Sequence, residues 1–336
     1  MIPKSVKKIL ERQHYITVGN HSGVQICRWT KKSLRGDGGC WKEKFYGIKS
    51  HQCCQFSPAI MWCENQCLHC WRPIEMNLGT KIEKIDEPKK IIEEIIKARK
   101  KLLIGFKSNK KTSMKKFEEA LEPTLFTLSL SGEPTIYPKL PELIREIRKR
   151  NAISFLVTNG QNPEMIKKLE KEKSLPTQLT LSTNAPNEKL FKIWHRSTKK
   201  DCWKKFNETI LFMKKLNKKT RRVIRLTLVK KGKDKCAFKD LSNMEQEHVK
   251  QYVRLIKKAE PDFVHVKGFK SLGYSRERMG YDKQPYYEEV LDFAKKLVKE
   301  LKNKSSNKNY KILAKDEISC VVLLGKSKKW MRIKKA

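Results

Sequence analysis

No stretch of this 336-residue chain is long and apolar enough to read as a membrane span. Nor does an apolar leader follow Met1-Ile-Pro-Lys, where charged residues stand instead. The first absence argues against a membrane protein and the second against secretion, so the chain is expected in the cytoplasm. Its ten cysteines then meet a reducing compartment, where clustered thiols bind metals and do not pair as disulfides. Acidic residues are also few: 36 Asp and Glu face 76 Lys and Arg, for a formal charge of +40. A heat-adapted surface would raise Lys and Glu together, and here the acids do not keep pace. A polyanionic partner is the better reading. With no amphipathic anchor in sight, nucleic acid is favoured over membrane. Solenoid-type repeats are absent as well. Apolar residues, at 38%, are fewer than usual, yet a chain of this length can still bury a core.

Strand-like and helix-like segments alternate along most of the chain. Strands are predicted at 56–61, 125–130, 153–157, 178–181, 223–229 and 263–266. Amphipathic helices are predicted at 88–104, 141–150, 163–171, 187–195, 203–216 and 245–259, several of them opening on Pro, Asn or Asp. Right-handed crossovers then give a parallel sheet. Six strands are too few to close an eight-stranded barrel, so the expected fold class is α/β, an open partial barrel of six βα units. Residues 1–50 read as a loop-rich N-terminal extension, 51–300 as the core, and 301–336 as a basic C-terminal extension. A terminal strand pair is expected at 310–313 and 319–324. Segments 107–116 and 302–311 read as polar, lysine-rich loops.

Cys63-Glu-Asn-Gln-Cys67-Leu-His-Cys70 carries the chemistry. Three thiols within eight residues can turn inward around one inorganic centre. A four-iron cluster usually takes four thiolates, so three leave one iron open, as catalytic metal sites require. CxxxCxxC is the pattern of radical S-adenosylmethionine enzymes, in which that iron is chelated by the methionyl amine and carboxylate. Reductive cleavage of the sulfonium then yields a 5′-deoxyadenosyl radical. A zinc knuckle or a chance cluster is the alternative, but no CxxC or HxxxH partner follows nearby to favour zinc.

Chemistry in such folds gathers at the C-terminal ends of the strands. There the sequence sets Ser131-Gly132-Glu133-Pro134-Thr135, Thr158-Asn159-Gly160, Ser182-Thr183-Asn184, Arg225 alternating with Thr227, and Lys267-Gly268. Gly132, Glu133, Thr135, Asn159, Ser182, Asn184 and Arg225 are the candidate S-adenosylmethionine contacts, with Glu133 suited to an ammonium group. Ordinary turn chemistry is the competing reading for each alone. Three further cysteines, Cys27, Cys40 and Cys53, precede the loop with twelve residues between neighbours. They suit a second cluster with an open iron, a structural zinc, or free thiols, and Cys54 beside Cys53 complicates the set. Lys42, two residues from Cys40, is a candidate nucleophilic amine whose pKa partial desolvation would lower.

Cys27, Cys40-Trp41-Lys42, the run from Cys53 to Cys70-Trp71-Arg72, and Gly132-Glu133-Pro134-Thr135 together resemble the archaeal 4-demethylwyosine synthases, over most of the chain. The resemblance implies a substrate, N1-methylguanosine beside the anticodon of phenylalanine tRNA, condensed with carbons of pyruvate into a tricyclic base. It implies two 4Fe-4S clusters, one on Cys63, Cys67 and Cys70 with S-adenosylmethionine, the other on Cys27, Cys40 and Cys53. It further implies that Lys42 forms a Schiff base with pyruvate. His69 departs from the family's pattern, which usually has Phe or Tyr there. Without a flavodoxin-like segment, electrons are expected from a separate flavodoxin or ferredoxin. The protein is expected to be a monomer, with the lysine-rich loops and basic tail on tRNA phosphates. Two other readings remain at this stage: a radical enzyme acting on another RNA base or a protein, and a non-catalytic RNA-binding iron-sulfur or zinc protein.

Overall fold

The computed structural model describes residues 1–233, 238–302 and 309–333. Cys236, part of the 302–311 segment and the last three residues of the basic tail lie outside them. The chain opens with helix α1 (Lys4–Arg12), a hairpin of β1 (Ile16–Val18) and β2 (Ser22–Gln25), and short helices α2 (Arg28–Leu34) and α3 (Trp41–Tyr46). The repeating part follows: β3 (Cys53–Ser57), α4 (Pro88–Leu103), α5 (Met114–Leu121), β4 (Leu125–Leu128), α6 (Leu140–Lys149), β5 (Ile153–Thr158), α7 (Pro163–Lys171) and β6 (Gln178–Ser182). Next come α8 (Glu188–His195), α9 (Cys202–Lys215), β7 (Arg221–Leu228), α10 (Gln246–Ala259) and β8 (Phe263–Gly268). Helices α11 (Tyr274–Met279) and α12 (Tyr287–Lys302) and the hairpin β9 (Lys311–Asp316) and β10 (Val321–Gly325) complete it.

One sheet joins all ten strands in the order β1-β2-β3-β4-β5-β6-β7-β8-β10-β9. Strands β3 to β8 pair in parallel, in sequence order, and an antiparallel hairpin extends each edge. The sheet does not close on itself, as expected for a partial barrel. Prolines and side-chain caps start the crossover helices where the sequence indicated. Pro88 and Pro163 sit in first turns, while Asn162 and Asn187 accept from Met165 N and Leu190 N at 3.3 and 2.9 Å.

Strand alternation divides the sheet into two chemistries. Outward residues, including Cys54, Phe56, Phe126, Leu128, Leu156, Leu179, Leu181, Ile224, Leu226, Val264 and Val266, pack in the main core, to which the crossover helices contribute. The inward set is mostly apolar at the strands' N-terminal ends. There Leu125, Ile153, Phe155, Val223 and Phe263 meet Trp41, Phe45 and Tyr46 of α3, which plugs the concave face from below. Above that plug the inward residues turn polar and line a cavity.

Several expectations need correction. The first strand is Cys53–Ser57, not 56–61, because Pro58 has no N–H to continue the ladder. Ala59, Ile60, Met61 and Trp62 are buried instead against α1, the hydrophobic residues that made the segment look like a strand. Residues 1–50 are not loop-rich: they form three helices and a hairpin, and β2 pairs directly with β3. Cys53 lies within the core sheet. Segment 107–116 gives way at Met114 to α5, and α12 went unpredicted although Val290, Phe293, Ala294, Leu297 and Leu301 bury one helical stripe. Among the described residues no helix is long and apolar enough to cross a membrane.

Candidate active site

A cavity of about 420 Å³ occupies the concave face. Cys27, Cys40, Cys53, Cys63, Cys67 and Cys70 all line it, as do Lys42, Gly132, Glu133, Asn159, Ser182, Asn184 and Arg225. Thr135 alone among the predicted site residues does not. It is buried behind Glu133, to which its backbone N and Oγ1 donate at 3.2 and 2.7 Å.

The loop of Cys63, Cys67 and Cys70 is held by hydrogen bonds that its own sequence does not reveal. Helix α8 ends at His195, followed by Arg196 with φ of 42°, so its last carbonyls lack helical partners. Gln66 N and Leu68 N donate to His195 O and Trp194 O at 2.9 and 3.0 Å. Arg278, from α11, donates to the carbonyls of Leu68, Cys70 and Arg72 from the other side. Burial pushes the Cys67 thiol well up, and the neighbouring Cys63 and Cys70 add to it. Three neighbouring sulfurs whose ionisation burial disfavours suit a metal cluster, whose positive charge would stabilise them as thiolates. Asn65 N and Asn159 Nδ2 donate to Cys63 Sγ at 3.4 and 3.6 Å, and His195 Nδ1 lies 3.0 Å from Cys67 Sγ. These residues fit a cluster with three protein ligands.

Cys27, Cys40 and Cys53 form a second triad. Cys27 caps α2, its sulfur accepting from Thr30 N at 3.4 Å; Cys40 caps α3; Cys53 opens β3. The Cys40 thiol is pushed up to about 12 by burial, with Cys27 and Cys53 contributing. Alternation removes the ambiguity at 53 and 54, since Cys54 points into the apolar core. Lys42 Nζ lies 3.8 Å from Cys53 Sγ and 3.5 Å from Thr127 Oγ1, with the Phe155 ring 5.6 Å away. Its expected downward shift is not found. Burial does push its pKa down, but the sulfurs of Cys53, Cys40 and Cys27 outweigh this and leave it raised. The lysine that burial does lower, with help from Arg225, is Lys267, to about 8.

Gly132 takes φ of +67° and lies against the carbonyls of Ala59 and Trp62, where a Cβ would sit 1.6 and 2.7 Å from their oxygens. That crossing delivers Glu133. Its Oε1 accepts from Thr158 Oγ1 at 2.7 Å as well as from Thr135, and its Oε2 accepts from Asn159 N at 2.8 Å. Burial raises its pKa to about 7, and Glu64 adds to the shift. Glu64, itself buried, receives Asn159 Nδ2 at 3.2 Å and Lys199 Nζ at 3.5 Å. His69 is held by Trp194, whose Nε1 donates to His69 Nδ1 at 2.5 Å. With Nδ1 accepting, neutral His69 must donate from Nε2, 3.1 Å from the Asn184 amide. The atom there is Asn184 Nδ2, while Asn184 Oδ1 is buried without a partner, so half a turn of the amide would supply the acceptor that Nε2 requires.

Sequence reasoning missed Glu64, Trp194, His195, Lys199 and Arg278. Glu64 had a signal, a carboxylate inside the cysteine motif; the others lie far from it in sequence. It also passed over the cationic run Arg28, Lys31, Lys32 and Arg35, which lines a second hollow beside Cys27 together with Trp71.

Comparison with known proteins shows what the chain is similar to. A family model described as Radical SAM superfamily matches residues 58–244, and one described as Wyosine base formation matches residues 258–326. An S-adenosyl-L-methionine-dependent tRNA 4-demethylwyosine synthase from Pyrococcus horikoshii is 43% identical over 301 residues, 89% of this chain and 84% of that protein. The protein of that name from Methanocaldococcus jannaschii is 33% identical over 332 residues, 96% of each chain. A solved structure of TYW1 with a lysine-pyruvate adduct bound superposes with a TM-score of 0.81 at 32% identity, covering 99% of this chain and 98% of that one.

Proposed function

Since the chain belongs to the radical SAM family of tRNA 4-demethylwyosine synthases, we propose a division of labour among the residues of its cavity. The enzyme condenses N1-methylguanosine of phenylalanine tRNA with carbons of pyruvate to give 4-demethylwyosine. Cys63, Cys67 and Cys70 would hold the 4Fe-4S cluster that binds S-adenosylmethionine. When bound, that pair supplies a carbon radical able to take a hydrogen atom from the base's methyl group. Gly132, Glu133, Asn159, Ser182 and Asn184 would receive S-adenosylmethionine, Glu133 accepting from its ammonium group, with Thr135 holding Glu133 in place. Cys27, Cys40 and Cys53 would hold a second 4Fe-4S cluster. The neutral amine of Lys42 would attack the keto carbon of pyruvate, releasing water and forming an imine whose nitrogen takes back the proton that the ammonium gave up, and Trp41, T-stacked on His265 at 4.7 Å, would help to keep bulk water from that linkage.

The observation that carries this reading is the meeting of two cysteine triads and Lys42 in one cavity. The net charge and the Arg28–Arg35 rim of the second hollow support an RNA partner held through phosphates. The lysine-rich segment from 107 and the basic tail are further phosphate contacts in this reading. Electrons would come from a separate flavodoxin or ferredoxin, and the active form would be a monomer in the cytoplasm.

The test reconstitutes the protein with iron and sulfide, expecting about eight irons per chain. Incubation with S-adenosylmethionine, reductant, pyruvate and N1-methylguanosine-containing tRNA should give the tricyclic nucleoside. Borohydride should trap pyruvate on the peptide containing Lys42. About four irons per chain would refute the second cluster, and absence of the tricyclic nucleoside would refute the substrate assignment.

A further inference from the structure

The cavity has an unequal charge distribution that the residues assigned above leave unexplained. Lys42, Arg72, Arg225 and Lys267 line it, and among the described residues Glu133 is its only carboxylate. Glu133 has its own partners in Thr135, Thr158 and Asn159. Lys42 faces three sulfurs. Among the described residues Arg225 and Lys267 have no carboxylate partner, and Lys267 lies within electrostatic reach of the sulfurs of Cys40 and Cys320.

Their placement follows from the sheet. In the β7–β8 register Arg225 lies opposite His265 and Thr227 opposite Lys267, with all four lining the cavity. Arg225, Thr227 and Lys267 are the half-buried positions in the upper part of two otherwise buried strands. Their exposure is therefore to the cavity. Arg225 makes one side-chain hydrogen bond, from a terminal nitrogen to Ser182 Oγ at 2.8 Å, and its Nε has no acceptor. The Lys267 amine has no hydrogen-bond or ion-pair partner among the described residues. His265 between them is occupied by Tyr46 and lies within electrostatic reach of Arg225, Lys267 and Lys42.

Two cations side by side in a low-dielectric hollow repel each other unless an anion lies between them. Guanidinium is the group best matched to a planar carboxylate, and an ammonium beside it completes the charge. We propose that Arg225 and Lys267 form a carboxylate clamp that binds the acid group of a small α-keto acid and presents its keto carbon to Lys42. The inference rests on the reading of Lys42 as the imine-forming amine. Arg225 thereby leaves the set of S-adenosylmethionine contacts. The methionyl carboxylate is the other source of the same chemistry, and the experiment separates the two.

The experiment uses the full chain reconstituted with iron and sulfide, without tRNA. Borohydride trapping on the Lys42 peptide is followed by mass spectrometry against pyruvate concentration, and against pyruvamide, which keeps the ketone and lacks the charge. Arg225→Gln and Lys267→Gln should each raise half-saturating pyruvate about tenfold to a hundredfold and leave pyruvamide trapping and S-adenosylmethionine affinity unchanged. In the unaltered protein acetate should compete with pyruvate and acetamide should not, a readout independent of whether the variants fold. The clamp is overturned by unchanged pyruvate saturation, by equal loss for pyruvate and pyruvamide, or by failure of acetate to compete. It is also overturned by loss of S-adenosylmethionine binding with pyruvate intact, or by an adduct on Lys267 itself. If the unaltered protein traps nothing, the imine reading fails. The clamp is then judged by equilibrium binding of carbon-13 pyruvate, lost in both variants if it stands and kept if it falls.

Discussion

Replacing Gly132 with Ala should damage this protein in a way that separates crowding from backbone strain. The residue has φ of +67°, and an added Cβ would lie 1.6 Å from Ala59 O and 2.7 Å from Trp62 O, both backbone atoms that cannot rotate away. Holding a non-glycine residue in the left-handed region costs about 1–2 kcal/mol. Forcing the two segments apart adds about 1–3 kcal/mol of overpacking. The 2.7 Å hydrogen bond from Glu133 N to Trp62 O spans the same crossing, and its loss adds about 1–3 kcal/mol. Together these come to roughly 3–8 kcal/mol. With an unfolding entropy of about 2 cal/mol/K per residue, the 336-residue chain should lose about 4–11 °C in Tm. Gly36 provides the control: its φ is +77°, but nothing lies within 4 Å of an added Cβ. Gly36→Ala should lose only about 1–3 °C. Thermal unfolding by circular dichroism, with iron content measured on each sample, tests the difference. Because the displaced segment runs straight into Cys63, Gly132→Ala should also hold less iron. Equal Tm and equal iron in the two variants would refute the reasoning.

Other consequences are equally direct. Glu133, raised to about 7 by burial and Glu64, must ionise to pair with an ammonium, so S-adenosylmethionine affinity should rise about tenfold between pH 6 and pH 8 and then level off; Glu133→Gln should flatten this profile, and a flat profile in the unaltered protein would count against the pairing. His195→Phe removes the nitrogen 3.0 Å from Cys67 Sγ and should make the midpoint potential of the cluster more negative in a redox titration, whereas an unchanged potential would mean the contact donates nothing. Changing Cys63, Cys67 or Cys70 to Ala should abolish cleavage of S-adenosylmethionine, measured as loss of 5′-deoxyadenosine; normal cleavage in all three would remove the radical assignment. The affinity for tRNA should fall linearly on a log–log plot against salt, and a constant affinity would show that the +40 charge does not serve RNA binding.

What the sequence disclosed about this fold was whatever is local or periodic. Three cysteines within eight residues announce a metal loop because the ligands need no tertiary information to be counted. The alternation of Arg225 with Thr227 placed both on one face, and the β7–β8 register bears this out. The α7 boundaries followed from a proline and a capping asparagine. Failures came where long-range packing decided the outcome. Ala59 to Trp62 has a strand's hydrophobicity and becomes a buried connection. His195 and Arg278 brace the cysteine loop from about 130 and 210 residues away, distances over which no spacing rule operates. The upward push on Lys42 was illegible for the same reason: burial could be read beside Cys40, but the opposing sulfurs come from three separate elements.

The end of the described chain is tied beneath Lys42. Ile333 N donates to Tyr46 O at 3.0 Å, closing the last turn of α3. Arg221 lies over the rings of Tyr46 and Phe263, 4.2 and 4.6 Å from their centroids, while bonding the carbonyls of Trp330 and Met331. The segment thus acts as a tie-rod under the helix that carries the proposed nucleophile, and the lysines around it are only its outer face. Deleting the basic tail would remove positive charge and loosen this support in one stroke. A truncated protein that binds tRNA poorly would therefore say little about phosphate contacts. Reversing the charge of Lys328 and Lys329, which are exposed, leaves the tie in place and asks the electrostatic question alone.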